Sequence, residues 1–264
     1  MDISRILEGW PFEHGQVTAR RILGADGREK IQLRLDLGLI QMETQGRPDG
    51  KRPHGQESYL AYYEQQLQQY RTDHGDDQGF TLDERACELL RAEGAMFYQR
   101  YVAEFVLEDF EAVERDTLRN LRMFDLCNAY AKEDSDKFAQ EQFRPYVIMM
   151  CTRARTRIAL RDNRPKLALI TVRKAMDQIR AFYKRYGHEK AAAASGEIAV
   201  LRALAKEIEG RIPADPVQEL KKKLARAVSA ERYEEAARIR DELNRITGQG
   251  GESAEKGELG GENQ

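Results

Sequence analysis

The chain has 264 residues, 33% of them charged and 8% aromatic, with Lys+Arg 43 against Asp+Glu 45 and a formal net charge of −2. That balance excludes a uniformly basic coat for non-specific nucleic-acid binding. No run of about 18 apolar residues is present, which excludes a transmembrane helix, and acidic Asp2, Glu8 and Glu13 interrupt any secretory h-region. Three cysteines (Cys87, Cys127, Cys151) in such a chain do not make a disulfide framework. The expectation is a reduced, cytoplasmic protein with no membrane partner.

Residues 1–57 read as a small β-rich element. Val17–Leu23 is followed by Gly24-Ala25-Asp26-Gly27, and Asp26-Gly27 supplies the positive φ angles of a hairpin turn. Lys30–Leu37 then alternates, with Ile31, Leu33, Leu35 and Leu37 on one face and Gln32, Arg34 and Asp36 on a wet one. Leu39–Glu43 extends the sheet, which is small enough to lean on the helices that follow. The turn-dense stretch Gly46–Gly55 resembles a phosphate loop only superficially. Gly46 and Gly50 enclose three residues rather than four, and Arg52 stands where a Ser or Thr would hold magnesium. It reads as an ordered loop with incidental basic residues.

Residues 58–210 read as helical. Tyr59, Tyr62, Tyr63 and Leu67 share a face before a breaker at Asp73–Asp77, and Thr81 with Glu84 makes a capping box for a helix reaching Val106. A helix over Phe110–Leu126 follows, then Phe143–Leu160, a turn at Asp162–Pro165, and Leu167–Tyr186. The segments Phe105–Val113 and Ile158–Ala168, about 53 residues apart, form a loose repeat: an apolar helix end, a polar turn, an apolar restart. This region resembles stacked tetratricopeptide-like hairpins, with an unrelated helical bundle as the alternative. Ala191–Gly196 opens a further helix or linker, and the Gly/Glu-rich stretch 248–264 reads as a disordered tail.

Net charge hides an internal split. Residues 73–141 hold 8 basic and 18 acidic groups, residues 142–190 hold 13 basic and 3 acidic. Arg153, Arg155, Arg157, Arg161, Arg173 and Lys174 crowd two helices there. Such a face can track phosphates, or it can neutralise the acidic hairpin beside it. Catalytic and metal-ligating patterns are absent: the four histidines are scattered, and neither a Cys-x-x-Cys, a nucleophile elbow nor a Gly-x-Gly-x-x-Gly turn occurs. No cofactor and no enzymatic role are expected.

The clearest signal lies in 215–247. Asp215 can cap, Pro216 suits the first helical position, and Gln218 completes a capping box. Val217, Leu220, Leu224, Ala227 and Val228 make one apolar stripe; Tyr233, Ala236, Ile239, Leu243 and Ile246 make a second, with Tyr233 covering the turn. The run Tyr233-Glu234-Glu235-Ala236-Ala237-Arg238-Ile239-Arg240-Asp241 after a Leu-rich helix resembles the UVR motif, the helical hairpin of the bacterial excinuclease subunits UvrB and UvrC. The resemblance implies a protein-contact hairpin that also occurs in adaptors of Clp-type proteases. It points to Tyr233, Glu234, Ala236, Ala237, Arg240 and Asp241 as partner-binding residues. Arg240 and Asp241 are expected to make charge-assisted bonds across the interface or between the two helices.

The sequence therefore predicts an α+β, mostly α chain: a small N-terminal sheet, stacked antiparallel hairpins, a C-terminal UVR hairpin and a disordered tail. The function read from it is a non-catalytic adaptor or regulatory protein. Its partner is an excinuclease-like subunit, a Clp-type protease component or a second copy of itself. The alternative is a DNA-repair-associated accessory protein that binds nucleic acid through helices 142–190.

Overall fold

A computed structural model describes residues 2–212 and 216–255, in two compact units, 1–209 and 210–264. In the first unit, after a short helix α1 (Ser4–Leu7), strands β1 (Ala19–Leu23), β2 (Glu29–Leu35) and β3 (Gly38–Glu43) form an antiparallel meander. The register pairs Ile31 with Arg21 and Met42. In the β1–β2 turn Gly27 alone is left-handed (φ 72°), so Asp26 does not share that role.

The alternation of β2 holds only for its first half. Ile31 and Leu33 are buried with Met42 and with Ala103 of the following helix layer. Leu35 is exposed and Leu37 is 91% exposed, because the chain turns between Leu35 and Gly38 before either reaches a neighbour. The opposite face is not wet. As the central strand, β2 buries Gln32, which accepts from Arg20 Nε (2.8 Å) and donates to Gln41 (3.0 Å), and Lys30, which pairs with Asp26 and Glu43.

The helical body comprises α2 (Tyr59–His74), α3 (Glu84–Val106), α4 (Phe110–Tyr130), α5 (Asp134–Glu141), α6 (Arg144–Arg161), α7 (Pro165–Arg185), α8 (Glu189–Ala194) and α9 (Gly196–Arg211). Caps fix the starts: Ser58 Oγ accepts from Ala61 N and Asp83 Oδ1 from Ala86 N. The cap of α3 is thus Asp83 rather than Thr81, since the side chain adjacent to the helix reaches the free N–H first. Helices α2, α3, α4 and α6 enclose a core that includes Leu60, Leu90, Met123, Phe124 and Val147.

The repeat is real in its turns. Glu108 (φ 59°) and Asn163 (φ 55°) are left-handed, and Asp109 N and Arg164 N donate five residues back, to Glu104 O and Ala159 O. This helix stop recurs at a spacing of 55 residues, joining α3 to α4 and α6 to α7 as antiparallel hairpins that pack through α4 and α6.

The packing of α3 on α4 is ionic as well as apolar. Arg100 and Asp116, each 1% exposed, form a bidentate pair (Nε–Oδ2 2.6 Å, Nη2–Oδ1 2.9 Å). Arg100 Nη1 also donates to the carbonyls of Glu43 (2.9 Å) and Gly46 (2.8 Å). Glu93, equally buried, binds Arg119 and accepts from the backbone N–H of Tyr59 (2.8 Å) and Leu60 (3.1 Å), the first turn of α2. Phe97 lies between the two guanidinium groups, its ring centre 4.8 Å from Arg100 Cζ and 4.2 Å from Arg119 Cζ. Acidic residues on these helices are therefore not all a solvated face, and Arg47 of the 46–55 loop is not incidental. It is buried, 3.0 Å from Asp49 and with its guanidinium 5.0 Å from the Tyr59 ring centre.

Removing one partner of a buried pair strands the other. Asp116→Ala should lower unfolding free energy by about 3–5 kcal/mol in urea titration. The apolar double change Arg100→Met with Asp116→Leu should not restore it, because two carbonyls lose their donor. Burial, followed by the nearby Asp116 carboxylate, pushes the Glu104 carboxyl up from 4.5 to about 8, against Arg115 and Arg100. The native state then holds a proton that the unfolded state releases, so stability should fall as pH rises from about 4.5 to about 8. Glu104→Gln should flatten that slope in thermal melts across the range.

Candidate interaction hairpin and the basic helices

The second unit contains α10 (Pro216–Ser229) and α11 (Tyr233–Glu255). Asp215, expected as the cap, and residues 256–264 of the expected tail lie outside the described residues; α11 continues through 248–255. Leu220, Ala227, Ala236, Ile239 and Leu243 form the core, flanked by Val217, Leu224 and Ile246. The spacing is the same on both helices: 217, 220, 224, 227 and 236, 239, 243, 246. Small Ala227 and Ala236 stand on either side of the turn, where the helices converge.

The turn repeats the stop seen twice in the first unit. Glu231 is left-handed (φ 57°) and Arg232 N donates to Ala227 O (2.9 Å). A non-glycine at this position is strained by about 1 kcal/mol, tolerated because the buried alanines fix the crossing.

Two expectations about the stripes change. Tyr233 is 68% exposed and does not cover the turn, and Val228 is 52% exposed, outside the core stripe. Both flank the turn, where the helix phases of Ala227 and Ala236 already fill the inside. Ala236 is buried and Ala237 half-buried; Glu234, Arg240 and Asp241 are exposed. Tyr233, Ala237 and Arg240 fall at i, i+4 and i+7 on one line of α11, beside the buried line rather than on it. Arg240 pairs with adjacent Asp241 (3.3 Å) and makes no bond to α10 among the described residues, so the expected tie between the helices is absent. Val228 is the exposed residue that periodicity placed inside; its exposure was not signalled by residue type.

The basic helices are largely engaged. Arg155 donates to Glu114 (2.7 Å) and Arg161 to Glu111, both on α4, and Arg173 to Glu209 (2.7 Å). Arg153 is half-buried over the Phe105 ring (4.2 Å), where burial lowers its pKa. Arg157 and Lys174 are exposed with no ion pair among the described residues. Helix α4 takes up the charge of two of the six, Arg155 and Arg161, and Glu209 of α9 that of Arg173.

A family model now places the hairpin. Residues 215–249 match the UvrB/uvrC motif. In UvrB and UvrC the motif is a protein-interaction element, and the run Tyr233 to Asp241 lies within the matched span. No curated protein and no solved structure matches the chain. The tetratricopeptide-like resemblance of the body gains no support from these comparisons. Among the described residues no helix is long and apolar enough to cross a membrane.

Core and surface positions of the UVR hairpin should respond differently to change. Ala227→Leu should overpack the crossing and lower stability by about 1–3 kcal/mol. Tyr233→Ala should stay within about 0.5 kcal/mol, as for other surface substitutions. Thermal unfolding of the full chain distinguishes them.

Proposed function

We propose that the protein is a non-catalytic adaptor or regulatory protein that docks a protein partner through the UVR hairpin. One observation carries the reading: the hairpin completes its own core while Tyr233, Val228, Arg240 and Asp241 stay exposed around and beyond the turn. An aromatic residue beside a charged pair on a rigid helix suits an interface centre, where such anchors contribute about 2 kcal/mol or more. An excinuclease-like subunit, a Clp-type protease component and a second copy of the chain are the partner classes that the motif suggests.

The alternative is an accessory nucleic-acid binder in DNA repair that uses helices 142–190; of its six candidate residues Arg155, Arg161 and Arg173 are held by carboxylates, which leaves Arg157 and Lys174 exposed without an ion pair among the described residues.

Partner recovery from the source cell should require residues 215–247. Arg240→Glu should abolish it with the far-UV helical signal intact, whereas recovery unchanged by Arg240→Glu and Tyr233→Ala would make the hairpin a structural cap. Nucleic-acid binding at about 50 mM salt, lost by about 200 mM and removed by Arg157→Glu with Lys174→Glu, would instead favour the alternative.

A further inference from the structure

The helical body holds a cavity of about 610 Å³ beside α5, within the range of about 300–1,000 Å³ typical of small-ligand sites. Its walls are aromatic: Tyr98 and Tyr101 from α3, Phe124 from α4, Phe143 at the α5–α6 junction and Tyr146 from α6. The rings stand at angles to one another, Tyr98 meeting Tyr101 edge-on (centres 5.5 Å apart, 89°) and Tyr146 at 57°. The lining is thus a set of inclined rings rather than one parallel stack. Phe143 remains half exposed.

Two polar side chains line this space and are otherwise unused. Tyr101 is 1% exposed and Gln140 6% exposed, yet neither side chain makes a hydrogen bond among the described residues. Neither has a polar atom shut off from solvent without a partner, so the Gln140 amide and the Tyr101 hydroxyl stay open to water or to an occupant of the cavity. Gln140 is held in place. Its helix is fastened at one end by Asp136 to Arg91 (3.0 Å) and at the other by Glu141 to Arg144 (2.8 Å).

We infer that this cavity binds a small, uncharged, planar heterocycle through aromatic contact with the tyrosine and phenylalanine rings and edge recognition by Gln140 and Tyr101. A primary amide offers one donor and one acceptor side by side, the complement of a lactam or aminopyrimidine edge. Charge argues for a neutral ligand. The charged lining residues are already engaged, Arg91 with Asp136 and Glu197 with the Ser195 hydroxyl (2.7 Å). A phosphate would find no free cation among them. The inference concerns the first unit and stands whether or not the hairpin docks a partner.

The test uses the full chain and 2-aminopurine, a fluorescent base with an aminopyrimidine edge, with naphthalene as an edge-less control. Saturable binding, read by fluorescence and ligand-observed NMR, is expected at about 1 mM or tighter for so small a probe. Gln140→Leu should weaken 2-aminopurine about tenfold while leaving naphthalene within about twofold, and Tyr101→Phe should weaken it about fivefold. Ala95→Trp, at an exposed lining position, should abolish both by filling the space. Should Gln140→Leu fail to fold, Ala95→Trp decides. Absence of 2-aminopurine binding, or binding that survives Ala95→Trp, overturns the proposal; so does naphthalene binding alone, which would leave an apolar cavity with no heterocycle specificity.

Discussion

Arg100 places its guanidinium between α3 and α4, where Asp116 takes two of its N–H groups and the carbonyls of Glu43 and Gly46 take a third. Both side chains are removed from water, so neither tolerates a lost partner. That condition ties the end of β3, the loop that follows it and both helices to one geometry. Glu93 does the same about two turns earlier, neutralising Arg119 while accepting the first N–H groups of α2. With Phe97 filling the space between, the register of α3 on α4 is the one that pairs buried Arg100 with Asp116 and buried Arg119 with Glu93. The aromatic cavity beside α5 depends on it, since its walls come from these same two helices and from α6.

Charge also explains why the two units differ in what they offer to solvent. The acidic and basic segments of the body meet as α4 and α6, where Glu111 and Glu114 hold Arg161 and Arg155. Part of what looks in one dimension like an anion-binding stretch is paired in three dimensions with the acidic helix beside it. Among the described residues the UVR hairpin has no such cross-helix pairing by Arg240, and ion pairs there join near neighbours in sequence, Lys222 with Glu219, Arg232 with Glu235 and Arg240 with Asp241. Its polar groups remain available because its apolar residues alone close the core.

Much of this was legible in the sequence. The meander follows from the alternation at Ile31 and Leu33 and from Gly27; the UVR hairpin follows from the Leu220 and Leu243 stripes and the Ala236-Ala237 pair. The failures share a cause. Periodicity assigns a face by residue type and gives no sign that Glu93, Arg100 and Asp116 are buried, although they occupy the same helical line as Phe97 and Tyr101 or Asn120 and Met123. In the same way Leu37, Val228 and Tyr233 read as buried although the chain turns away beside each of them. Short α5, which carries Gln140, has too few apolar residues to signal a helix at all. Of the ion pairs that hold it, Asp136 with Arg91 is long-range in sequence.

The central claim is that the exposed line of α11 is an interface. It is tested most directly by placing a photo-crosslinking phenylalanine analogue at Tyr233 in the living source cell, with the same analogue at exposed Lys222 of α10 as reference. The account predicts a discrete crosslinked protein species from position 233, absent from position 222 and lost when Arg240 is changed to Glu. Equal yields from both positions, or no crosslinked species from 233, would contradict it.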